Sequence, residues 1–386
     1  MTLQTLLEKG VLRLALLPEN NDSILTAEGK ELRNKLIAQN TVEEWHAFSP
    51  EKRIVYYDFG VLQKLQGYTV PLIGHDYSAK TPLMWNAAYA FGNLPLNNIM
   101  VVGDPAQTKE ILEDFVSDSK YLGGGAGVGF KETVARQIPQ IGGTLFPIDL
   151  TASNIVVKEN GKLVGYNTDA EGFVKSLEEA LLVGGKSLEK SQIIIFGAGG
   201  VAKEVARYLA KSKVSYVAIV NRTINKAVAL AHELNLAYGC SSFSAVGVGE
   251  DLIRGLALNS IKKPDTIVNL TDKGSDGSLA DTSAFAPAGA ENETLSRYLL
   301  EQLVKLTPNI VVADIVLPKR RSITLRQVDA AWSKANEPAH TLDGKPMVIY
   351  QAVPAYKLIE KAYPELHQTP VSPEKLLEIF KYAVTN

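Results

Sequence analysis

Cysteine is nearly missing from this chain: Cys240 stands alone among 386 residues, which excludes an intrachain disulfide and any metal site built from several thiolates. Histidine is scarce as well. His46, His75, His232, His340 and His367 are scattered, with no pair at helical ligand spacing, so no metal site is expected. No stretch reaches the roughly 18 apolar residues that a bilayer-spanning helix requires. The opening MTLQTLLEKGVLRLALLPEN carries Glu8 and Lys9 ahead of its apolar run and lacks a basic leader region, so it is read as mature sequence and not a signal peptide. Neither sign of charge dominates: 40 basic residues face 42 acidic ones, a net charge of −2. That balance argues against nucleic acid or an anionic membrane as partner and leaves room for a local anion site. Internal repeats and low-complexity tracts are absent too. Together these absences point to a cytoplasmic protein of a reducing compartment.

What is present is globular material, 46% hydrophobic and 21% charged, long enough for two domains with a core each. From about residue 68 strand-like apolar runs alternate with helical patterns, as in α/β folds. YTVPLIG (68–74) is a short apolar run, and Thr81-Pro82 reads as N-cap and first helical residue of PLMWNAAYAF. NIMVVGD is a strand, followed by a helix in QTKEILEDFVS with Ile111, Leu112, Phe115 and Val116 on one face. NIVVKENGKLVGY carries Asn160-Gly161, a hairpin signal between apolar flanks. Near residue 190 a new unit begins. SQIIIF, VSYVAIVN, DTIVNLT and NIVVADIVL are continuous apolar strands separated by helices, which predicts a parallel sheet covered on both faces. VAKEVARYLAKS puts Val201, Val205 and Leu209 on one helical face, and two amphipathic helices close the chain. Residues 1–66 contain no motif, and their role is unread; partner docking or oligomerisation is one reading.

IIIFGAGGVAKEV has the strand-turn-helix setting that gives G-x-G-x-x-(G/A) its meaning. Gly197 permits the tight turn, Gly199 lets backbone approach a pyrophosphate, and Ala202 allows close helix–strand packing. Ala198, Gly200 and Val201 complete the loop, where the helix N-terminus offers free N–H groups to phosphate. About 20 residues on, where an NAD site usually places an acid, the strand ends in Asn221-Arg222-Thr223, with Lys226 following. An acid would repel a 2′-phosphate, whereas a guanidinium binds it bidentately; NADP is therefore favoured over NAD.

GGGAGVGFKE (123–132) is also glycine-rich, yet it lacks a strand-then-helix signal and any K-(S/T) ending, so it is no Walker-type phosphate loop. It is read as a loop that presents Lys131. Downstream, GYNTDAEGF (165–173) matches G-x-N-T-D-x-x-G-(F/V/L) at every fixed position. GAGG with NRT, NLTDKG, ADIVLPKRRSITL, DGKPMVIYQAVPAY and YSAKTPLMWN follow in order. With these motifs the chain from about residue 68 onward resembles the shikimate dehydrogenase family. The resemblance implies a doubly wound Rossmann NADP-binding domain over 171–342 and an α/β substrate-binding domain from 67–170 plus 343–386. The site would lie in a cleft between them. It also implies a catalytic pair of Lys131 and Asp169, and substrate contacts from Gln351, Thr81, Ser78, Ser153 and Asn154. Asn269 and Thr271, from NLTDKG, join the cofactor residues. The implied activity is reversible NADP-dependent hydride transfer at a ring hydroxyl of shikimate or a related hydroxylated ring acid, a step of aromatic amino acid biosynthesis. Such a step needs a group to give or take a proton, and a lysine with its ordinary pKa near about 10.4 is a poor base at pH 7. Desolvation of Lys131, or a relay through Asp169 and water, would meet that need. A homodimer is compatible with this reading.

Departures from the family pattern sit on the substrate side. Ala79 and Thr81 stand at the two carboxylate-binding serines, and Ser78 at the preceding histidine. Gly125, Gly127 and Gly129 replace an asparagine, a threonine and a proline; Ser153 aligns with a further asparagine, with Asn154 one step away. Leu317 replaces a tyrosine, and Pro354 would remove a backbone donor from the last-but-one helix. Each lost hydrogen bond leaves about 0.5–1.5 kcal/mol unrecovered. The glycines are accordingly read as clearance, for a larger substrate or for a backbone nest that binds an anion. Two alternatives stay open: a quinate-type dehydrogenase with a changed substrate, and a non-catalytic NADP-binding homologue.

Overall fold

The computed structural model describes residues 5–6, 11–14, 67–74, 80–127, 129–275, 277–285, 290–317, 320–367 and 369–385. Ser78 and Ala79 lie outside these residues. The chain divides into two compact units, Met1–Asp169 with Gln351–Asn386, and Ala170–Tyr350. Among the described residues no helix is long and apolar enough to cross a membrane.

The strands of the first unit are β1 (Leu12–Leu14), β2 (Tyr68–Thr69), β3 (Leu72–Gly74), β4 (Leu96–Asn97), β5 (Met100–Gly103), β6 (Gly123–Ala126), β7 (Thr144–Phe146), β8 (Ile155–Glu159) and β9 (Lys162–Tyr166). Seven of them form one mixed sheet in the order β1-β5-β3-β6-β8-β9-β7, while β2 pairs with β4. The expected hairpin is there: β8 and β9 pair antiparallel around Asn160 and Gly161, whose φ values of 51° and 77° suit a tight turn. The motif-free N-terminal segment contributes β1, which runs antiparallel to β5 with Leu12 opposite Gly103. Leu12 is fully buried among Ile73, Val101 and Phe130.

Two expectations need correcting here. The lysine segment is not a loop lacking strand and helix. Gly123–Ala126 is β6, parallel to β3 on one side and antiparallel to β8 on the other, and helix Lys131–Gln137 follows it. Glycine hides strands because it offers no side chain for an alternating pattern. Its presence here has a packing cause: a Cβ on Gly124 would sit 2.3 Å from the carbonyl oxygen of Pro71, and one on Gly123 2.5 Å from that of Val156. Nor are Gly125 and Gly127 simple clearance, since their Cβ positions meet Leu72 Cδ1 at 2.7 Å and Ile73 O at 3.1 Å. Second, the helix Lys80–Phe91 starts before Thr81, so Thr81 and Pro82 lie inside its first turn.

The second unit holds β10 (Gln192–Phe196), β11 (Tyr216–Val220), β12 (Phe243–Val246), β13 (Thr266–Asn269), β14 (Ile310–Asp314) and β15 (Ala339–Leu342). All pair in parallel, in the order β12-β11-β10-β13-β14-β15. Numbered within the unit, that is 3-2-1-4-5-6, the doubly wound Rossmann order. Alternate residues supply the two faces: Ile193 and Ile195 enter one core, Ile194 and Phe196 the other. The helix Gly200–Lys211 buries Ala202, Val205, Ala206 and Leu209. Val201, placed by its spacing on that buried face, is instead 46% exposed at the first turn. Helix Lys345–Ala362 runs through Pro354 without interruption.

Candidate active site

The first polar cluster forms where Asn167, Thr168 and Asp169 leave β9. Asn167 Oδ1 accepts from the Asp169 N–H at 2.9 Å, and its amide donates to Ala152 O at 2.9 Å. These bonds turn the chain into helix Asp169–Val183, with Asp169 at its first position. Lys131, first residue of its own helix, donates from Nζ to Asp169 Oδ2 at 2.6 Å. The pair is neither sealed nor free, its side chains 27% and 14% exposed. The lysine backbone is tied to the same corner, because its carbonyl accepts from the Ser153 N–H at 2.9 Å.

Asn154 is the hub. Its Nδ2 reaches Asp169 Oδ1 at 3.0 Å, Thr168 Oγ1 at 2.9 Å and Gln351 Oε1 at 3.0 Å. Its Oδ1 accepts from the Thr168 N–H at 2.8 Å, and the Thr168 hydroxyl lies 3.1 Å from Gln351 Oε1. Lys131, Asn154, Asp169 and Gln351 are thus brought together. Ser153 is turned elsewhere: it is fully buried, its hydroxyl within 3.0 Å of Ile155 O and 3.1 Å of Tyr166 O. Thr81 is half-buried on helix Lys80–Phe91, and Leu317 is 48% exposed. Thr168 is a member of this cluster that the sequence motif does not single out, although GYNTDAEGF displays it between Asn167 and Asp169.

The second cluster belongs to the Rossmann unit. Gly197 has φ +121°, and a Cβ there would meet Leu270 O at 3.0 Å. Only glycine suits that combination. Gly199 caps helix Gly200–Lys211, and a Cβ on it would meet nothing within 4 Å. That open cradle beside free helix N–H groups fits a pyrophosphate, with Ala198 and Val201 alongside and Ala202 packed beneath. At the end of β11, Asn221 Nδ2 donates to Thr223 O at 2.9 Å, while Arg222, Thr223 and Lys226 are exposed. Asn269 works inward: it donates to Asp314 Oδ1 at 2.9 Å and to Lys273 O at 3.2 Å, and its Oδ1 accepts from Thr271 N and Oγ1 at 3.0 and 2.7 Å. Burial raises the Asp314 carboxyl above its ordinary range, opposed by the bonds from Ser322, Val316 and Asn269.

The fold and these clusters define a two-unit dinucleotide-binding α/β protein. A family model described as Shikimate / quinate 5-dehydrogenase matches residues 179–246. The shikimate dehydrogenase (NADP(+)) of Methanothermobacter thermautotrophicus is 32% identical over 290 residues, covering 74% of this chain and 87% of that protein. That of Methanocaldococcus jannaschii is 32% identical over 300 residues, 75% of this chain and 90% of its own length. In fold, the chain is similar to shikimate 5-dehydrogenase from Listeria monocytogenes, solved with shikimate and NAD, at a TM-score of 0.58 and 20% identity over 81% of this chain and 96% of that one. The chain belongs to the shikimate dehydrogenase family.

Proposed function

We propose that this protein is an NADP-dependent dehydrogenase that interconverts shikimate and 3-dehydroshikimate, or a closely related hydroxylated ring acid, in the cytoplasm as part of aromatic amino acid biosynthesis. The observation that carries this reading is the Lys131–Asp169 pair at 2.6 Å, with Asn154 joining the second Asp169 oxygen to Gln351. NADP, held by the Gly197–Ala202 turn and the Asn221–Lys226 segment, supplies the two-electron hydride acceptor or donor.

The chain's own residues handle the proton. With one N–H given to Asp169, the Lys131 ammonium is oriented and its remaining protons are available to a ring hydroxyl. In the oxidation direction that hydroxyl gives up its proton to the pair, and the ammonium stabilises the developing alkoxide. Asp169, steadied by Asn154, keeps the lysine in place between turnovers. Thr168 and Gln351 offer polar atoms to the neighbouring hydroxyls of a polyol.

A quinate-type substrate is the second reading, favoured by the departure at Leu317. Nicotinamide absorbance with shikimate and quinate as alternative substrates separates the two. Lys131→Ala is expected to lower kcat by at least about a thousandfold with NADP affinity within about twofold of the parent. Equal turnover by the variant defeats the assignment. Oxidation of neither acid by the parent protein defeats both readings.

A further inference from the structure

Asn269 and Asp314 are the last residues of the adjacent parallel strands β13 and β14, paired in register. Both are buried, Asn269 to 1% exposure and Asp314 to 0%. An asparagine side chain has two N–H groups to give and two lone pairs to fill. Here the protein takes all four. Nδ2 donates to Asp314 Oδ1 at 2.9 Å and to Lys273 O at 3.2 Å, while Oδ1 accepts from Thr271 N and Oγ1 at 3.0 and 2.7 Å. Nothing on the side chain is left over for a ligand. Its bonds run instead into segment 270–273, which lies against the glycine turn: a Cβ on Gly197 would sit 3.0 Å from Leu270 O and 3.3 Å from Thr271 Cγ2. The carboxylate is fixed as firmly. Asp314 Oδ1 also accepts from the Val316 N–H at 3.2 Å, and Oδ2 from the Ser322 hydroxyl at 2.6 Å. Ser322 in turn caps helix Ile323–Lys334. Three donors converge on Asp314, an arrangement that suits an ionised acceptor.

We propose that Asp314, acting through Asn269, is a positioning residue that sets segment 270–273 against the nicotinamide half of the dinucleotide. This inference rests on the NADP reading above and changes the part Asn269 plays in it: the asparagine shapes the site and its side chain does not touch the cofactor. Topology assigns the half. The strand order reverses between β10 and β13, and a dinucleotide crosses a doubly wound sheet at that point. Arg222 follows β11, on the adenine side of the crossing; segment 270–273 follows β13, on the other side. Phe196, the last residue of β10, is in register with Asn269, so the segment starts level with the glycine turn.

Calorimetric titration of the full chain with NADP, NAD and adenosine 2′,5′-bisphosphate, which carries only the adenine half, tests this. Asp314→Leu is expected to weaken NADP at least about tenfold while the bisphosphate stays within about twofold of the parent. Asp314→Asn keeps an oxygen for Asn269 to bond and is expected to hold NADP within about threefold. Thr271→Val leaves the buried carboxylate in place and removes the hydroxyl bond to Asn269. It is expected to weaken NADP about fivefold with the bisphosphate unchanged, and it decides the matter where Asp314→Leu does not fold. Equal weakening of NADP and the bisphosphate, or no weakening of NADP, overturns the proposal and leaves the NADP reading standing. A parent protein that binds NAD as tightly as NADP overturns both.

Discussion

At 197–200 the chain reads Gly-Ala-Gly-Gly, and at 123–127 it reads Gly-Gly-Gly-Ala-Gly. In the first segment a glycine is needed where the backbone takes φ +121° at Gly197, and at Gly199 the missing side chain leaves open space beside a helix N-terminus. In the second, the space that a side chain would fill at Gly123 and Gly124 is already occupied by the carbonyls of Val156 in β8 and of Pro71 just before β3. One segment is glycine-rich so that something can approach from outside. The other is glycine-rich so that its own sheet can close. Similar composition therefore says little about role; what lies at the missing Cβ decides it.

Three substitutions to alanine would break or sharpen that contrast. Gly124→Ala has the largest expected effect, a loss of about 3 kcal/mol of stability, because the methyl meets a backbone carbonyl that cannot swing aside. Urea denaturation measures it; an unchanged midpoint would mean that β6 is not held against Pro71. Gly199→Ala comes next. Its φ of −87° suits alanine and nothing blocks the methyl, so stability should stay within about 0.5 kcal/mol while NADP dissociation constants rise about tenfold. Unaltered titration curves would remove Gly199 from the nucleotide cradle. Gly125→Ala is the mildest, below about 1 kcal/mol, since the one tight contact of its methyl is the movable end of Leu72. A loss as large as that of Gly124→Ala would show Leu72 to be as rigid as backbone.

The Rossmann unit was legible because its signals are local. Runs such as Ile193–Phe196 and Val217–Val220 are apolar at every position, as strands covered on both faces must be, and G-x-G-x-x-A sits at the one turn where the chain needs it. The exposed Val201 shows the limit of that reasoning, because helical spacing alone does not say which of two adjacent residues faces inward. In the first unit β6 gave no periodic signal, and β1 lies in a segment without motifs. The site was legible in part: Lys131, Asp169 and Gln351 follow from the family resemblance, yet nothing in the string chose between Ser153 and Asn154. The pairing of Ile155 with Tyr166 sets the start of the β8–β9 ladder, and beside it Ser153 meets two backbone carbonyls while Asn154 meets Asp169, Thr168 and Gln351.

By itself, then, the string determined the alternation of strands and helices and the glycine turn with its basic neighbour Arg222, since each depends on residues close together along the chain, and its single cysteine excluded an intrachain disulfide. Which glycines face neighbouring backbone, which of two adjacent polar residues becomes the hub, and how Asn154 comes within 3.0 Å of Gln351, 197 positions away, were decided only in three dimensions. The physical reason is that hydrogen bonds and excluded volume act over a few ångströms of space, whatever the distance along the chain.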